Sequence, residues 1–241
     1  MFRNLTANVQ HTDPAVQTTA EIKRLSAAAD LIGWQEIETT AQVTTLQGLD
    51  GFAHYLPGGA ANAVAISWRT DVFELVSASS HRVHAGVAGI TPSRYINTVV
   101  LRHLATGRLV VRINTHVING IESGGLPIDN QRRIPFAKTH MADLRAAIVA
   151  GEQVGAVIWG GDLNIAYNAE LRLSVAKRCP WFPLTSLAPV SAFDMPATPS
   201  HGTRSIDWTG HTDGLEAQQP TLLPLGFSDH RAVLTVFGFA A

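Results

Sequence analysis

Short apolar runs in this chain repeatedly close on a polar or ionisable residue. FRNLTAN ends at Asn8, LIGWQE at Glu36, RLVVRINTH at His116 and VGAVIWGGD at Asp162, while GFSDHRAVLTVF sets Asp229 and His230 before its apolar run. Runs of this length, bounded by turn residues and alternating with stretches of helical spacing, predict the strands of a mixed α/β sheet. A strand-end carboxylate or imidazole that enters the interior needs a partner, and α/β sheets commonly build their sites in loops leaving one edge.

FRNLTANV reads as the first strand; Asp13 and Pro14 then start a helix carrying Val16, Ile22, Leu25 and Ala29 near helical spacing. After LIGWQE, the segments AVAIS, DVFELVSAS, YINTVVLRHL and RLVVRINTH predict a strand-rich middle, with a hairpin at Thr106-Gly107. A polar loop follows at IESGGLPIDN. From about Pro135 to Ala150, the shared side of Phe136, Met141, Leu144 and Ile148 predicts a helix, and VGAVIWGGD returns to a strand. Residues 180–204, rich in Pro, Ser and Thr, predict a long loop, with RSIDW and RAVLTVF as closing strands. No repeat or linker divides the chain, which favours a single domain over residues 1–241.

With 46% hydrophobic residues among 241, the chain can bury a sizeable core. Its 18 Lys and Arg nearly cancel 19 Asp and Glu, so any attraction for a polyanion is local. Cys179 is the single cysteine, which excludes an intrachain disulfide framework. With no secretory pattern at MFRNLTANVQ and no long uncharged apolar span, a soluble cytoplasmic protein is expected.

Individually, the polar strand ends have ordinary structural explanations. Asp162 followed by Asn164 is common in turns, Glu36 suits an exposed strand end, Asn8 a neighbouring loop, and His116 an ordinary hydrogen-bonded histidine. Asp207, inside the strand RSIDW, is harder to explain, because a buried carboxylate needs a partner; His230 is the obvious candidate. Together, the oxygen ligands Glu36, Asn8 and Asp229 suit a hard cation such as Mg²⁺, which takes one or two carboxylates and keeps waters and phosphate oxygens. One cysteine suits a structural zinc site poorly.

In order along the chain, TANVQ, WQE, NTHV, GGDLN, SIDW and SDHRAV resemble the motifs of the endonuclease/exonuclease/phosphatase superfamily, the DNase I-like metal-dependent phosphoesterases. The resemblance spans nearly the whole chain. It implies a four-layer fold, two packed mixed sheets flanked by helices, with the site at one end of the sandwich. It further implies that Glu36 is the principal metal ligand, with Asn8 and Asp229 flanking it, and that Mg²⁺, or Mn²⁺, is the cofactor. Asp162 and Asn164 would position the attacking water and hold the phosphate; His230 would bond the scissile phosphate while Asp207 orients its imidazole and favours the protonated form. His116 in NTHV resembles the DNase I, sphingomyelinase and inositol-phosphatase groups more than the abasic-site enzymes, and Asn62 in GGAANAVAIS aligns with the residue that supports this histidine in them. Arg94 in SRYIN lies where many family members keep an arginine near the phosphate.

A nuclease acting on DNA or RNA is therefore the leading expectation; hydrolysis of small-molecule or lipid phosphoesters is the alternative. A binding module without activity would have lost one or more of these residues, and all are present. Arg132 and Arg133 read as surface charges. Arg172, Lys177 and Arg178 beside Trp181 and Phe182 read equally as a nucleic-acid contact or as a capped helix followed by a hydrophobic anchor.

Overall fold

The computed structural model describes residues 1–10, 12–122 and 131–240. The loop expected at IESGGLPIDN lies, from residue 123 onward, outside the described residues. In chain order come β1 (Phe2–Asn8), α1 (Ala15–Ser26), β2 (Leu31–Gln35), α2 (Thr40–Gln47), β3 (Phe52–Tyr55), β4 (Ile66–Arg69), β5 (Phe73–His84), β6 (Arg94–His103) and β7 (Leu109–His116). Then follow α3 (Ile134–Glu152), β8 (Ala156–Asp162), β9 (Ala192–Phe193), β10 (Asp207–His211), β11 (Leu215–Ala217), β12 (Thr221–Leu222) and β13 (Val233–Phe239).

One sheet has the strand order β11-β13-β1-β2-β4-β3, with β12 also on β13; the other runs β5-β6-β7-β8-β10-β9. Pairing is antiparallel except between β1 and β2 and between β7 and β8. The period of two sorts side chains between faces. Leu5 and Ala7 of β1, with Ile32 and Trp34 of β2, pack beneath Ile22 and Leu25 of α1. Val111 and Ile113 of β7, with Val157 and Trp159 of β8, pack beneath Met141, Leu144 and Ile148 of α3. The opposite faces meet each other, with Phe2, Leu31, Ile66 and Trp68 of the first sheet against Phe73, Val99, Val110 and Ile158 of the second. The result is the expected sandwich, helices outside and two sheets within. Full burial of each such side chain contributes about 1.5–3 kcal/mol.

Along the sheet interface the apolar packing gives way to a polar layer leading to one end. Arg112 is fully buried, donating from Nη2 to Thr6 Oγ1 at 3.1 Å across the gap and from Nη1 to Ile113 O. Gly33 makes room for it, because a Cβ there would stand 2.3 Å from Arg112 Nη2. One pleat on, Asn114 donates to the carbonyls of Trp34 (2.7 Å) and Ala65 (2.9 Å) and accepts from Gln35 Nε2 at 2.7 Å. The next residues on the same faces are Asn8, His116 and Asp162, so the strands end where the polar layer opens to solvent.

The sequence did not suggest α2. It carries a Thr39/Gln42 capping box but buries only Gln42 and Leu46, so it lacks the apolar stripe that marks a helix. In AVAIS, residues 63 to 65 belong to a 3-10 turn over Gly59–Val64 and its exit, and the strand begins at Ile66. The 180–204 segment holds one helical turn at Pro183–Ser186 and the two residues of β9, and is otherwise irregular.

Candidate functional site

Register delivers the candidate residues to one sandwich end. Asn8 pairs with Gln35 across the parallel β1 and β2, and Glu36 follows immediately; in the other sheet Asp162 faces both His116 and Asp207 across its two neighbours. Gly160 and Gly161 permit this close approach. A Cβ at Gly161 would stand 1.9 Å from Thr115 O, and one at Gly160 would stand 2.6 Å from Thr6 Oγ1.

His230 Nδ1 donates to both oxygens of Asp207, at 2.8 and 3.0 Å, and its Nε2 faces Asp162 Oδ2 and Asp229 Oδ1, each at 3.9 Å. Burial pulls the imidazole down, but the charge and hydrogen bond of Asp207, backed by Asp162 and Asp229, outweigh it and lift its pKa to about 9. The ring is thus an imidazolium at neutral pH. Asp162 moves well above the ordinary carboxylate range, first through burial and then through the Asp207 charge, against the opposing pull of His230, the Asn164 amide and Asn8. Asn8 Nδ2 donates to Glu36 Oε1 at 3.0 Å and Asp162 Oδ2 at 3.3 Å, tying the two carboxylates together.

This donor chemistry fits a hard cation. Carboxylate oxygens of Glu36 and Asp162 converge on a single amide, and a positive ion there would favour their charged forms. Asp229 is half-exposed, with Oδ2 at 3.1 Å from His201 Nε2 and Oδ1 at 3.9 Å from His230 Nε2. Among the described residues, two groups bring carboxylate and imidazole ligand atoms within 4.8 Å of one another, His201 with Asp229 and His230, and Asp162 with Asp207 and His230.

Among the described residues, three other than glycine have left-handed backbone, Gln10 (φ 50°), Glu36 (φ 66°) and Asn164 (φ 55°), and two of them are candidate site residues. Such conformations persist only where surrounding structure imposes them, and they cluster at functional sites. Asn164 is held by its own contacts, Nδ2 to Val117 O at 3.0 Å and its amide to Asp162 Oδ1 at 2.8 Å, with Nδ2 also 3.3 Å from His116 Nε2.

These groups line an open cleft of about 520 Å³ bordered by Glu36, Arg94, His116, Asn119, Asp162, His201, Arg204 and His230. Arg94 is mostly buried and its Nη1 is 3.4 Å from His116 Nδ1. A guanidinium, not the expected Asn62, therefore stands beside the His116 ring. Asn62 accepts from the Gly58 amide at 2.8 Å and serves its own turn. A polar residue in a Gly-rich segment has local backbone to bond, and here that contact is the one made.

Three cleft features had no sequence signal. His201 follows a polar loop; Arg204 donates to Glu122 and, at 3.1 Å, to Asn164 O; and Glu122 accepts the Ala166 amide at 2.8 Å, fixing the segment after β8. Arg133, read as a surface charge, donates to Asn119 Oδ1 at 2.5 Å, and Asn119 is one of the residues bordering the cleft. At the other basic tract the anchor reading fits better. Trp181 and Phe182 pack edge-to-face at 4.8 Å against the α3 core, Arg172 and Arg178 donate to the carbonyls of Asn168 and Glu170, and among the described residues no cation lies over the Trp181 or Phe182 ring. A larger groove of about 860 Å³ beside α3 includes Trp181 but lacks the carboxylates and imidazoles of the cleft.

The Endonuclease/Exonuclease/phosphatase family model matches residues 5–230. No curated protein matches. Among solved structures, the chain is similar to the mannosyl-6-phosphatase Bt3783 of Bacteroides thetaiotaomicron (TM-score 0.73, 13% identity, 99% of this chain and 100% of that one). It is likewise similar to Danio rerio TDP2 complexed with a single-strand DNA product (0.74, 11%, 98% of each) and to the human Nocturnin catalytic domain with bound sulfate (0.65, 17%, 99% and 94%).

Proposed function

Because the chain belongs to the endonuclease/exonuclease/phosphatase family, we propose that it is a divalent-cation-dependent phosphoester hydrolase whose leading substrate is a phosphodiester of DNA or RNA. The observation that carries this reading is the buried Asp207–His230 pair beside Asp162, at the base of a cleft bordered by Arg94 and Arg204. A phosphoester repels anionic nucleophiles, and an imidazolium with two guanidiniums nearby answers that repulsion.

Glu36, with Asn8 and Asp229 flanking, would hold Mg²⁺ or Mn²⁺, which when bound neutralises charge on the phosphate and leaving oxygen. Asp162 accepts a hydrogen bond from the attacking water and aligns it with the leaving oxygen, while Asn164 fixes that carboxylate through its amide. His230 Nε2–H donates to a non-bridging phosphate oxygen, and Asp207 keeps the proton on the opposite ring nitrogen. His116, with Arg94 3.4 Å from its Nδ1 and Asp162 Oδ2 3.4 Å from its Nε2, offers a second imidazole to the phosphate.

One observation favours a second reading, a small phosphorylated metabolite. Among the described residues lining the cleft there is no Trp, Tyr or Phe on which a base could stack, and the similarity to a mannosyl-6-phosphatase points the same way. Purified protein should be given supercoiled plasmid, single-stranded DNA, RNA and sugar phosphates, with Mg²⁺ or Mn²⁺ against EDTA and a His230→Ala control. Cleavage of nucleic acid that needs both cation and His230 supports the leading reading. Release of phosphate from sugar phosphates with nucleic acid intact replaces it with the second, and no turnover of any of them by folded protein rejects both.

A further inference from the structure

His201 brings chemistry to the rim of the cleft that the hydrolytic reading does not use. Its backbone bridges to His230, and Arg231 N donates to Ser200 O at 2.8 Å, so the 200–204 turn is pinned beside the SDH segment. The two imidazoles overlap with centroids 4.5 Å apart at 42°. His201 Nε2 lies 3.1 Å from Asp229 Oδ2, His230 Nε2 lies 3.9 Å from Asp229 Oδ1, and the ligand atoms of all three residues fall within 4.8 Å of one another.

From this geometry we propose that His201, Asp229 and His230 form a second cation site, selective for zinc-type transition ions, and that its occupation silences the hydrolase. Two imidazoles and one carboxylate are the borderline donor set that zinc prefers over magnesium, and three protein ligands leave a fourth position open. Tetrahedral zinc at about 2.0–2.1 Å from each ligand sets the ligands about 3.3–3.4 Å apart; His201 Nε2 stands at 3.1 Å and His230 Nε2 at 3.9 Å from Asp229 oxygens, so a modest closing of the His230–Asp229 gap completes the site. The outer shell is already in place, since His230 donates its other ring N–H to Asp207, the carboxylate–histidine arrangement that orients imidazoles toward zinc. His201 Nε2 donates to Asp229 in the ion-free site, and its Nδ1, buried without a hydrogen-bond partner among the described residues, can take up the proton that Nε2 gives up to a metal. Asp229 is half-exposed and gives an ion a path in. Silencing rests on the reading of His230 Nε2 as the phosphate donor, because a metal on that nitrogen removes its proton; the binding site itself does not depend on that reading.

The test uses Co²⁺ as a visible stand-in, added without substrate to the full chain and to His201→Ala and Asp162→Asn variants, each checked for folding by circular dichroism. Wild type and Asp162→Asn should show a d–d band that about one equivalent of Zn²⁺ displaces and millimolar Mg²⁺ does not. His201→Ala should bind Co²⁺ at least tenfold more weakly. Equal Co²⁺ affinity in wild type and His201→Ala, or displacement by Mg²⁺ as readily as by Zn²⁺, overturns the site. In a second arm, hydrolysis of whichever phosphoester is turned over is titrated with Zn²⁺, each protein normalised to its own zinc-free rate. The half-inhibiting concentration should rise at least tenfold in His201→Ala. An unchanged value overturns the silencing, and absence of any hydrolysis counts against the proposed function while the Co²⁺ band still decides the site.

Discussion

Glu36 combines strain and charge in one residue, at φ 66° with its carboxylate hydrogen-bonded to Asn8. Removing its charge, as in Glu36→Gln, or removing the imidazole or carboxylate in His230→Ala or Asp162→Asn, should lower turnover about 10²-fold or more with the melting temperature little changed. Steady-state kinetics beside thermal melts checks this. Glu36→Gly separates the two properties. Glycine adopts φ 66° without strain, so this variant should melt no lower than Glu36→Ala, by up to about 1 kcal/mol in glycine's favour, while both lose activity. The Asp207–His230 pair predicts a pH effect. The phosphate-donating form of His230 is the protonated one, so wild-type turnover should decline only as pH rises through about 9. In Asp207→Asn the main upward influence is gone and burial remains, so the decline should move to below pH 7; a profile that stays put would mean another group titrates.

The elements carry their own pH dependence. His140 of α3 is fully buried, its Nε2 at 2.5 Å from Thr115 Oγ1, which donates onward to Tyr95 O at 3.0 Å. Burial first, and then nearby positive charges from Arg94, His84 and His81, lower its pKa to about 3. Its folded pKa lies below the unfolded value, so the neutral ring's contribution is complete above about pH 6.5 and is lost as pH falls toward 3. Urea midpoints should therefore drop on acidification through that window, and His140→Gln, which can keep a donor to Thr115, should flatten the drop by on the order of 1–3 kcal/mol at pH 4. At this scale the sequence was legible wherever burial was one-sided and continuous, as in β1, β7, β8 and α3. It was silent for α2 and for the four-residue β3, and for β9, β11 and β12, whose two or three residues are too short to show a period. The site divided similarly. Asp207 stood out because a carboxylate in an apolar run needs a partner, although the strand begins at Asp207 rather than running through RSI before it, whereas His201, Arg204 and Glu122 sit in polar segments where any ionisable residue looks ordinary. An Asp–His pair alone would mislead, since Asp194 and His211 make one at 2.8 Å near the opposite end of β10.

Across the whole molecule, the buried polar layer sets a conflict between stability and alignment. Arg112 has no carboxylate partner among the described residues, and burial lowers its pKa to about 9. An uncompensated buried charge costs stability, so Arg112→Met, similar in volume, should melt no lower than wild type and up to on the order of 1–4 kcal/mol more stably. Its turnover should nevertheless fall, because the bond from β7 to Thr6 on the other sheet is lost. Differential scanning calorimetry with kinetics tests this, and a clear drop in melting temperature would show that the bonds of Arg112 outweigh its desolvation.

The reacting groups are divided between the two sheets, Asn8 and Glu36 on one and His116, Asp162 and Asp207 on the other. The gap between the sheets is therefore itself a catalytic dimension. A slip of one sheet over the other by a fraction of an ångström would leave every strand and helix intact and still separate the carboxylates from the imidazolium. Warming should accordingly extinguish turnover in a state whose far-ultraviolet spectrum is still native.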